Sequence, residues 1–467
     1  MVRGISLECM RAIVGIRKEV RHKTQALSRS QEAFTRALSV FPDGTSRVTI
    51  ERDPIPKYME RGEGAYLFDI DGNRYLDLNS NFTTLIHGHA FKPVVEAVHR
   101  KLASGSCFAN PTEVEIELAS ILCERIPTVD RVRFVNTGTE AVMFAVKAAR
   151  AFTGKAGIAK FEGAYHGAYD WAEVSQSASP VNWGPADNPV SVPFYKGMPE
   201  SVLQETLVLR FNDADLLEKN LTAHAHRIAA VVIDPMPSQA GLIAPKPDFL
   251  DALHRLCRQH GVLIIADEVL NLRQGFHGAS ARYRLKPDLL TMGKMIGGGL
   301  PIGAIGGREE VMEAFSAKSG RPLLPQAGTF SANPLSIVAG VAAMRALDEA
   351  AFARLDSLGD RLRGNLTEII AQQDAPFAVT GASSLFRIHP TRRIPRDFRD
   401  MASNALQNGV RRALSQFFCR HGVILPNWAA ACLSTPMGET EVDTISDLFC
   451  LFLKEHAADI KDMEVAG

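Results

Sequence analysis

The chain reads as an α/β protein, a mostly parallel sheet flanked by helices, with a smaller α+β unit beside it. Three observations carry that reading. Between about residues 95 and 340, short apolar runs alternate with helix-length amphipathic stretches. Ahead of this body lies a tight hairpin pattern, and beyond residue 341 the pattern changes to long helices with two short strands. At 467 residues, 46% hydrophobic and 22% charged, the chain can bury a large core, and 36 Gly with 25 Pro are too few for a disordered or fibrous protein.

Taken in order, residues 1–40 are predicted helical, because no Pro and only one Gly, Gly15, falls within residues 11–39, and Pro42-Asp43-Gly44 stops them. Residues 65–78 place Tyr66, Phe68 and Ile70 before Asp71-Gly72-Asn73, then Tyr75, Leu76 and Leu78, a hairpin around an Asp-Gly turn. Strands are expected at 132–135, 158–161, 229–233, 262–266, 289–291 and 302–305, and helices at 112–125, 140–152 and 248–260. The last part should form helices over 341–372 and 398–419, with strands near 384–388 and 432–434. The resulting division is 1–94 as arm and small β unit, 95–340 as the large domain and 341–467 as the C-terminal α+β domain.

Charge and cysteine content narrow the function. Lys plus Arg and Asp plus Glu both number 52, which removes the electrostatic case for a nucleic-acid or membrane-surface partner and leaves a small molecule. Seven cysteines form no C-x-x-C pair, so neither a disulfide framework nor a zinc site is indicated. No run approaches the roughly 20 apolar residues of a membrane span, and residues 1–28 lack the apolar region of a signal peptide. A cytoplasmic protein is expected.

Ligands of such sheets sit beyond the carboxyl ends of the strands. There the chain places Asn136-Thr137-Gly138-Thr139-Glu140 at a helix start, either an ordinary cap or a phosphate cradle of amide groups at the positive helix end. Gly163-Ala164-Tyr165-His166-Gly167 presents a ring between glycines, a buried tyrosine or a platform for a planar ligand. Asp234 and Asp267-Glu268-Val269 close two strands with acids that call for a cation. A metal is disfavoured, because no His or Cys joins them at ligand spacing and His224-x-His226 precedes a strand, at the wrong end. A protonated heteroaromatic nitrogen fits better. Finally, Thr291-Met292-Gly293-Lys294 ends a strand before a glycine-rich turn. A lysine there is either a snorkelling surface group or a desolvated nucleophile toward carbonyls. Cradle, aromatic, acid and lysine together match the demands of pyridoxal 5′-phosphate (PLP).

With those residues in place, the chain resembles the class III, fold-type I aminotransferases, in the branch of glutamate-1-semialdehyde 2,1-aminomutase and the β-amino-acid aminotransferases. The likeness runs over about residues 40–450, through RGEGAYLFDIDGNRYLD, NTGTEA, YHG, DEV, GKMIGGGLPIGAIGGR and GTFSANP. It implies a sheet of the seven-stranded type, with a small domain built from both chain ends. It also implies that Lys294 carries PLP covalently, that Asp267 pairs with the pyridine nitrogen, and that Tyr165, His166 and Val269 surround the ring. Thr137, Gly138 and Thr139 would take the phosphate. Thr329 would reach the neighbouring site of a homodimer. The partners implied are an amine donor and a carbonyl acceptor.

Substrate choice is expected from Arg47 and Trp428. Arg47 lies where the β-amino-acid branch has a similarly placed arginine, and it is either a carboxylate clamp or a surface residue. In residues 426–431, where those enzymes carry another arginine and the aminomutases a glutamate, this chain has Pro-Asn-Trp-Ala-Ala-Ala. That suggests a more apolar pocket and an aminotransferase rather than the aminomutase. Residues 168–199 resemble the aminomutase gate.

Overall fold

The computed structural model describes residues 28–427 and 430–465. Most of the expected N-terminal helix lies outside them. Its last part is the helix Arg29–Ala37, begun by a capping box in which the Ser28 hydroxyl accepts from the Gln31 amide. The hairpin follows as β1 (Met59–Glu63), β2 (Tyr66–Asp69) and β3 (Arg74–Asp77). β2 and β3 pair antiparallel around the Asp71-Gly72 turn, where Gly72 takes a positive φ.

The large sheet contains β4 (Arg131–Val135), β5 (Gly157–Phe161), β6 (Thr206–Leu209), β7 (Ile228–Ile233), β8 (Leu263–Asp267), β9 (Leu289–Gly293) and β10 (Gly303–Gly307). Their spatial order is β4-β10-β9-β8-β7-β5-β6. β5, β7, β8 and β9 are buried on both faces, so, apart from Lys160, Asp267 and Thr291, their sequences are apolar without alternation. β10 alone runs antiparallel to its neighbours. Its connection from β9, residues 294–302, is too short for the crossover that a parallel pair needs. All six expected strands are present. β6 was not expected, because it follows the helix Glu200–Glu205 with no Gly or Pro between them.

Helices Glu113–Arg125, Gly138–Thr153 and Pro247–His260 match the expected ones to within two residues at their ends. The long helix expected over 341–372 is two, Pro334–Arg345 and Glu349–Gln372. The break falls at Asp348, whose carboxylate accepts from the Ala351 amide at 2.8 Å and caps the second helix. Likewise 398–419 is a short turn, Arg399–Met401, followed by a helix Ala405–Arg420 capped by Asn404. β11 (Ala378–Thr380), β12 (Leu385–His389) and β14 (Ala431–Cys432) make a small sheet, while β13 (Val423–Ile424) pairs with β3. The C-terminal segment therefore closes against the N-terminal hairpin. Among the described residues no helix is long and apolar enough to cross a membrane.

Candidate active site

The carboxyl ends of β7, β8 and β9 bring Asp234, Asp267 and Lys294 together. Asp267, the last residue of β8, is buried. Its Oδ2 lies 2.7 Å from His166 Nδ1, and its Oδ1 accepts from the Thr291 hydroxyl at 2.9 Å and the Val269 amide at 3.1 Å. Burial pushes the carboxyl up, but His166, Val269 and Thr291 outweigh it and hold Asp267 below the ordinary carboxylate range. An ionised carboxylate only accepts, so the proton of this contact sits on His166 Nδ1. Burial also lowers His166, which is therefore neutral, and its Nε2 is buried with no hydrogen bond among the described residues.

Asp234 has the opposite fate. Burial and the nearby Asp267 raise its carboxyl well above the usual value, while the Met236 amide at 2.9 Å and Asn271 Nδ2 bind it. Two neighbouring acids are thus split, with the charge on Asp267. Glu268, one residue on, points to the other side of the chain and caps a short helix by accepting from the amides of Ala279 and Ser280, both at 2.7 Å.

Lys294 follows β9 in a left-handed conformation, φ 50°. That is strain of the kind stored at functional sites. Burial lowers its amine below the ordinary lysine value, against the pull of Asp267 and Asp234. The helix Gly138–Thr153 begins beside it. Thr137 caps the helix, its Oγ1 accepting from the Glu140 amide at 3.1 Å. The amides of Gly138 and Thr139 have no hydrogen-bond partner among the described residues, so two donors stand open at the positive helix end. A Cβ on Gly138 would lie 2.8 Å from Val269 Cγ1, and one on Gly303 would lie 2.1 Å from the Thr137 carbonyl. Only glycine lets this turn press onto the sheet.

Tyr165 is half exposed, on a loop whose next residue reaches Asp267. The Thr139 hydroxyl accepts from the Ala168 amide at 3.1 Å and ties that loop to the helix start. Arg47 is exposed, 3.4 Å from Asn81 Oδ1 and 5.5 Å from the Phe82 ring centroid. Ser80, Asn81, Phe82 and Thr83 all have positive φ, a strained left-handed turn. Thr329 is exposed in the turn before the helix Pro334–Arg345. Trp428 lies outside the described residues. Residues 168–199 are held down rather than hanging loose: the Ser175 amide donates to the Val192 carbonyl at 2.8 Å, and Arg399 donates to the carbonyls of Trp183 and Gly184.

Two buried cations escaped the sequence reading. Arg273 donates to the Thr83 carbonyl at 2.8 Å, the Ser384 hydroxyl at 3.1 Å and the Leu433 carbonyl at 2.5 Å, joining three segments around the site. Lys160 donates to the carbonyls of Ala164 and Val174 at 3.1 and 2.6 Å, clasping the ends of the loop that carries Tyr165 and His166. For Lys160 the available signal was a charged residue inside an otherwise apolar strand, whereas Arg273 lies in a short turn, Asn271–Gln274, with no such signal.

A sheet in this order, ending in a desolvated amine beside an ionised carboxylate, is that of a PLP-dependent transferase. The chain belongs to the class-III aminotransferases, whose family model matches residues 48–421. It is 36% identical over 438 residues to glutamate-1-semialdehyde 2,1-aminomutase 2 of Halalkalibacterium halodurans, covering 91% of this chain and 97% of the relative. An omega-transaminase from Sphaerobacter thermophilus superposes with a TM-score of 0.89 at 44% identity, over 91% of this chain and 97% of that one. A beta-phenylalanine aminotransferase from Variovorax paradoxus superposes with a TM-score of 0.83 at 31% identity, over 96% and 98%. The protein is a PLP-dependent aminotransferase acting on small amine and carbonyl compounds.

Proposed function

We propose that this enzyme moves an amino group from an amine or a β- or ω-amino acid to a keto acid or other carbonyl acceptor, in two half-reactions. The carrying observation is the amine of Lys294, shifted toward its neutral form by burial, beside an Asp267 kept ionised. The open amides of Gly138 and Thr139 fit the phosphate of PLP. Bound PLP supplies an aldehyde for amines and a ring that accepts electrons.

In this reading Lys294 would hold the cofactor until the substrate amine displaces it, and the freed Nζ would take a proton from the substrate carbon that bears nitrogen and return it later. Asp267 keeps the ring nitrogen protonated, and His166 orients Asp267. Tyr165 and Val269 cover the ring faces, while Thr137, Gly138 and Thr139 hold the phosphate. Arg47 and Trp428 meet the substrate. Arg47→Ala should raise KM for carboxylated donors and leave simple amines little changed. A homodimer, with Thr329 reaching the neighbouring site, would cover the exposed Leu102, Phe108, Leu323 and Phe330 and the cavity of about 400 Å³ beside Val95 and Leu300.

Residues 426–431 contain neither glutamate nor arginine, which favours an apolar donor. The second reading, intramolecular transfer on glutamate 1-semialdehyde, is supported by the Halalkalibacterium halodurans relative. Incubation with amines and either pyruvate or 2-oxoglutarate tests the proposal. Appearance of the amino group on the acceptor upholds it, and acceptor-independent formation of 5-aminolevulinate from the semialdehyde would replace it.

A further inference from the structure

The turn Arg399–Met401 and the two residues before it lie across the carboxyl ends of β5 and β6, far from the rest of the C-terminal core in sequence contacts but next to the loop that carries Tyr165 and His166. Glu162 is the first residue after β5, and Arg399 meets it as a fork, Nε to Oε2 and Nη2 to Oε1, both at 2.8 Å. The other donors cross to the segment beyond that loop. Nη1 donates to the Gly184 carbonyl at 2.9 Å, Nη2 to the Trp183 carbonyl at 3.0 Å, and the guanidinium carbon lies 4.9 Å from the Trp183 ring centroid. The two charged side chains are 11% and 3% exposed, so the fork is shielded from water and fixes direction as well as distance.

Its neighbours hold the turn itself in place. Asp397 accepts from the amides of Arg399 and Asp400 at 2.9 and 3.2 Å and pairs with Arg210, the first residue after β6. The Phe398 ring occupies the place that a Cβ on Gly163 would take, and it stands edge-on to the Trp183 ring at 6.2 Å. Gly163 has a φ of 68°, so glycine is suited to this position twice over. Glu162 and Gly163 open the loop of Tyr165 and His166. The loop's other ties, Lys160 to the carbonyls of Ala164 and Val174 and the Thr139 hydroxyl to the Ala168 amide, come from the large sheet's own strand and helix. Arg399 adds the tie from the C-terminal part of the chain.

We infer that Arg399 is a positioning residue for amino transfer. By gripping Glu162 together with the carbonyls of Trp183 and Gly184, it presets the loop that seats His166 on Asp267 and brings Tyr165 to the cofactor. A loop already ordered loses less freedom when the cofactor and substrate bind, and keeps its groups aligned through turnover. Arg399 acts through Glu162 and not on the substrate. The inference rests on the roles given above to Tyr165 and His166.

Holoenzyme variants test it. Arg399→Met removes the fork, Arg399→Lys keeps one charged donor, and Glu162→Gln keeps an acceptor without the charge. Arg396→Met is the control, since that guanidinium is 76% exposed and binds Asp400 of the same turn. A misplaced loop should lower kcat, by up to about 100-fold in Arg399→Met, with KM for the amine donor little changed. Arg399→Lys and Glu162→Gln should fall between Arg399→Met and the wild type, and Arg396→Met should match the wild type. With His166 less firmly seated, the acid limb of kcat/KM should move up, by less than in His166→Ala. The titratable groups facing Asp267, namely His166, Asp234, Lys294, Tyr165 and Glu268, are the same in all four variants. Hydrogen exchange read by mass spectrometry gives a measure independent of activity: exchange should quicken over residues 162–192 and stay unchanged in β7, β8 and β9. Circular dichroism checks folding, and Arg399→Lys with Glu162→Gln carries the test if Arg399→Met does not fold. Wild-type kcat, acid limb and exchange in both Arg399→Lys and Glu162→Gln would overturn the inference, as would quickened exchange spread evenly over the chain with the acid limb in place. An acid limb that stays put in His166→Ala would instead bring down the role given to His166, and the inference with it.

Discussion

Removal of the His166 imidazole isolates what keeps Asp267 ionised. The carboxylate is buried and accepts three hydrogen bonds, the shortest, at 2.7 Å, from His166 Nδ1. A hydrogen bond to a charged group contributes about 1.5–3 kcal/mol. At 1.36 kcal/mol per pKa unit, losing it in His166→Ala should raise Asp267 by about 1–2 units. The sign follows from linkage. A carboxyl depressed in the folded state contributes stability above its unfolded pKa, and that stability is lost as pH falls through the folded value. In His166→Ala the folded value moves up toward the unfolded one, so the loss on acidification is smaller and ends at higher pH, and the acid limb of kcat/KM moves up with the folded value. Paired pH profiles of kcat/KM and of the urea midpoint measure both shifts. His166→Asn, whose amide can stand near the Nδ1 position, should restore part of the difference. An acid limb that stays in place in His166→Ala, with near-normal turnover, would refute this account of how Asp267 holds its charge.

Three further outcomes follow from the geometry. Gly138→Ala forces its Cβ to within 2.8 Å of Val269, so the phosphate turn must lift and PLP affinity should fall while the melting temperature of the apoprotein changes little; equilibrium dialysis of the cofactor reads this. Arg399→Met leaves Glu162, which is 3% exposed, without the guanidinium that binds both its oxygens at 2.8 Å. Urea unfolding should show a loss of about 3–5 kcal/mol, and a loss below about 1 kcal/mol would count against a buried pair. Lys160 is lowered by burial to about 7, so the unfolded chain binds more protons from about pH 7 up to the ordinary lysine value. Stability should therefore rise across that window by up to about 1.4 kcal/mol per pH unit, and the rise should vanish in Lys160→Met, as denaturation series at fixed pH would show.

Much of this organisation could be read from residue order alone, because a strand buried on both faces is a short apolar run and the residue after it is exposed to the ligand. Asp267, Lys294 and the turn at Thr137 stood out for that reason. Features that depend on contacts between distant segments did not. The antiparallel course of β10 follows from the brevity of residues 294–302, and β6 hides because its apolar stretch abuts a helix. The break at Asp348 looks, in sequence, like one more polar residue in a long helix. The split between Asp234 and Asp267 was equally hidden, since both are strand-end acids and only the placement of His166 and Thr291 decides which keeps its charge. Arg273 satisfies its donors with acceptors from three distant segments, of which local sequence carries no trace, while Lys160 uses the carbonyls at the ends of the loop that follows its own strand.

A single guanidinium, that of Arg273, shares its donors among Thr83 on the strained turn, Ser384 just before β12 of the small sheet and Leu433 behind the alanine stretch. These three stretches of wall are consequently one rigid frame rather than independent panels. A substitution meant to widen the pocket at one of them will be felt at the other two through the shared arginine. Reshaping this enzyme for a bulkier amine would then succeed more readily on the Arg47 side, where the chain is tethered only at its surface.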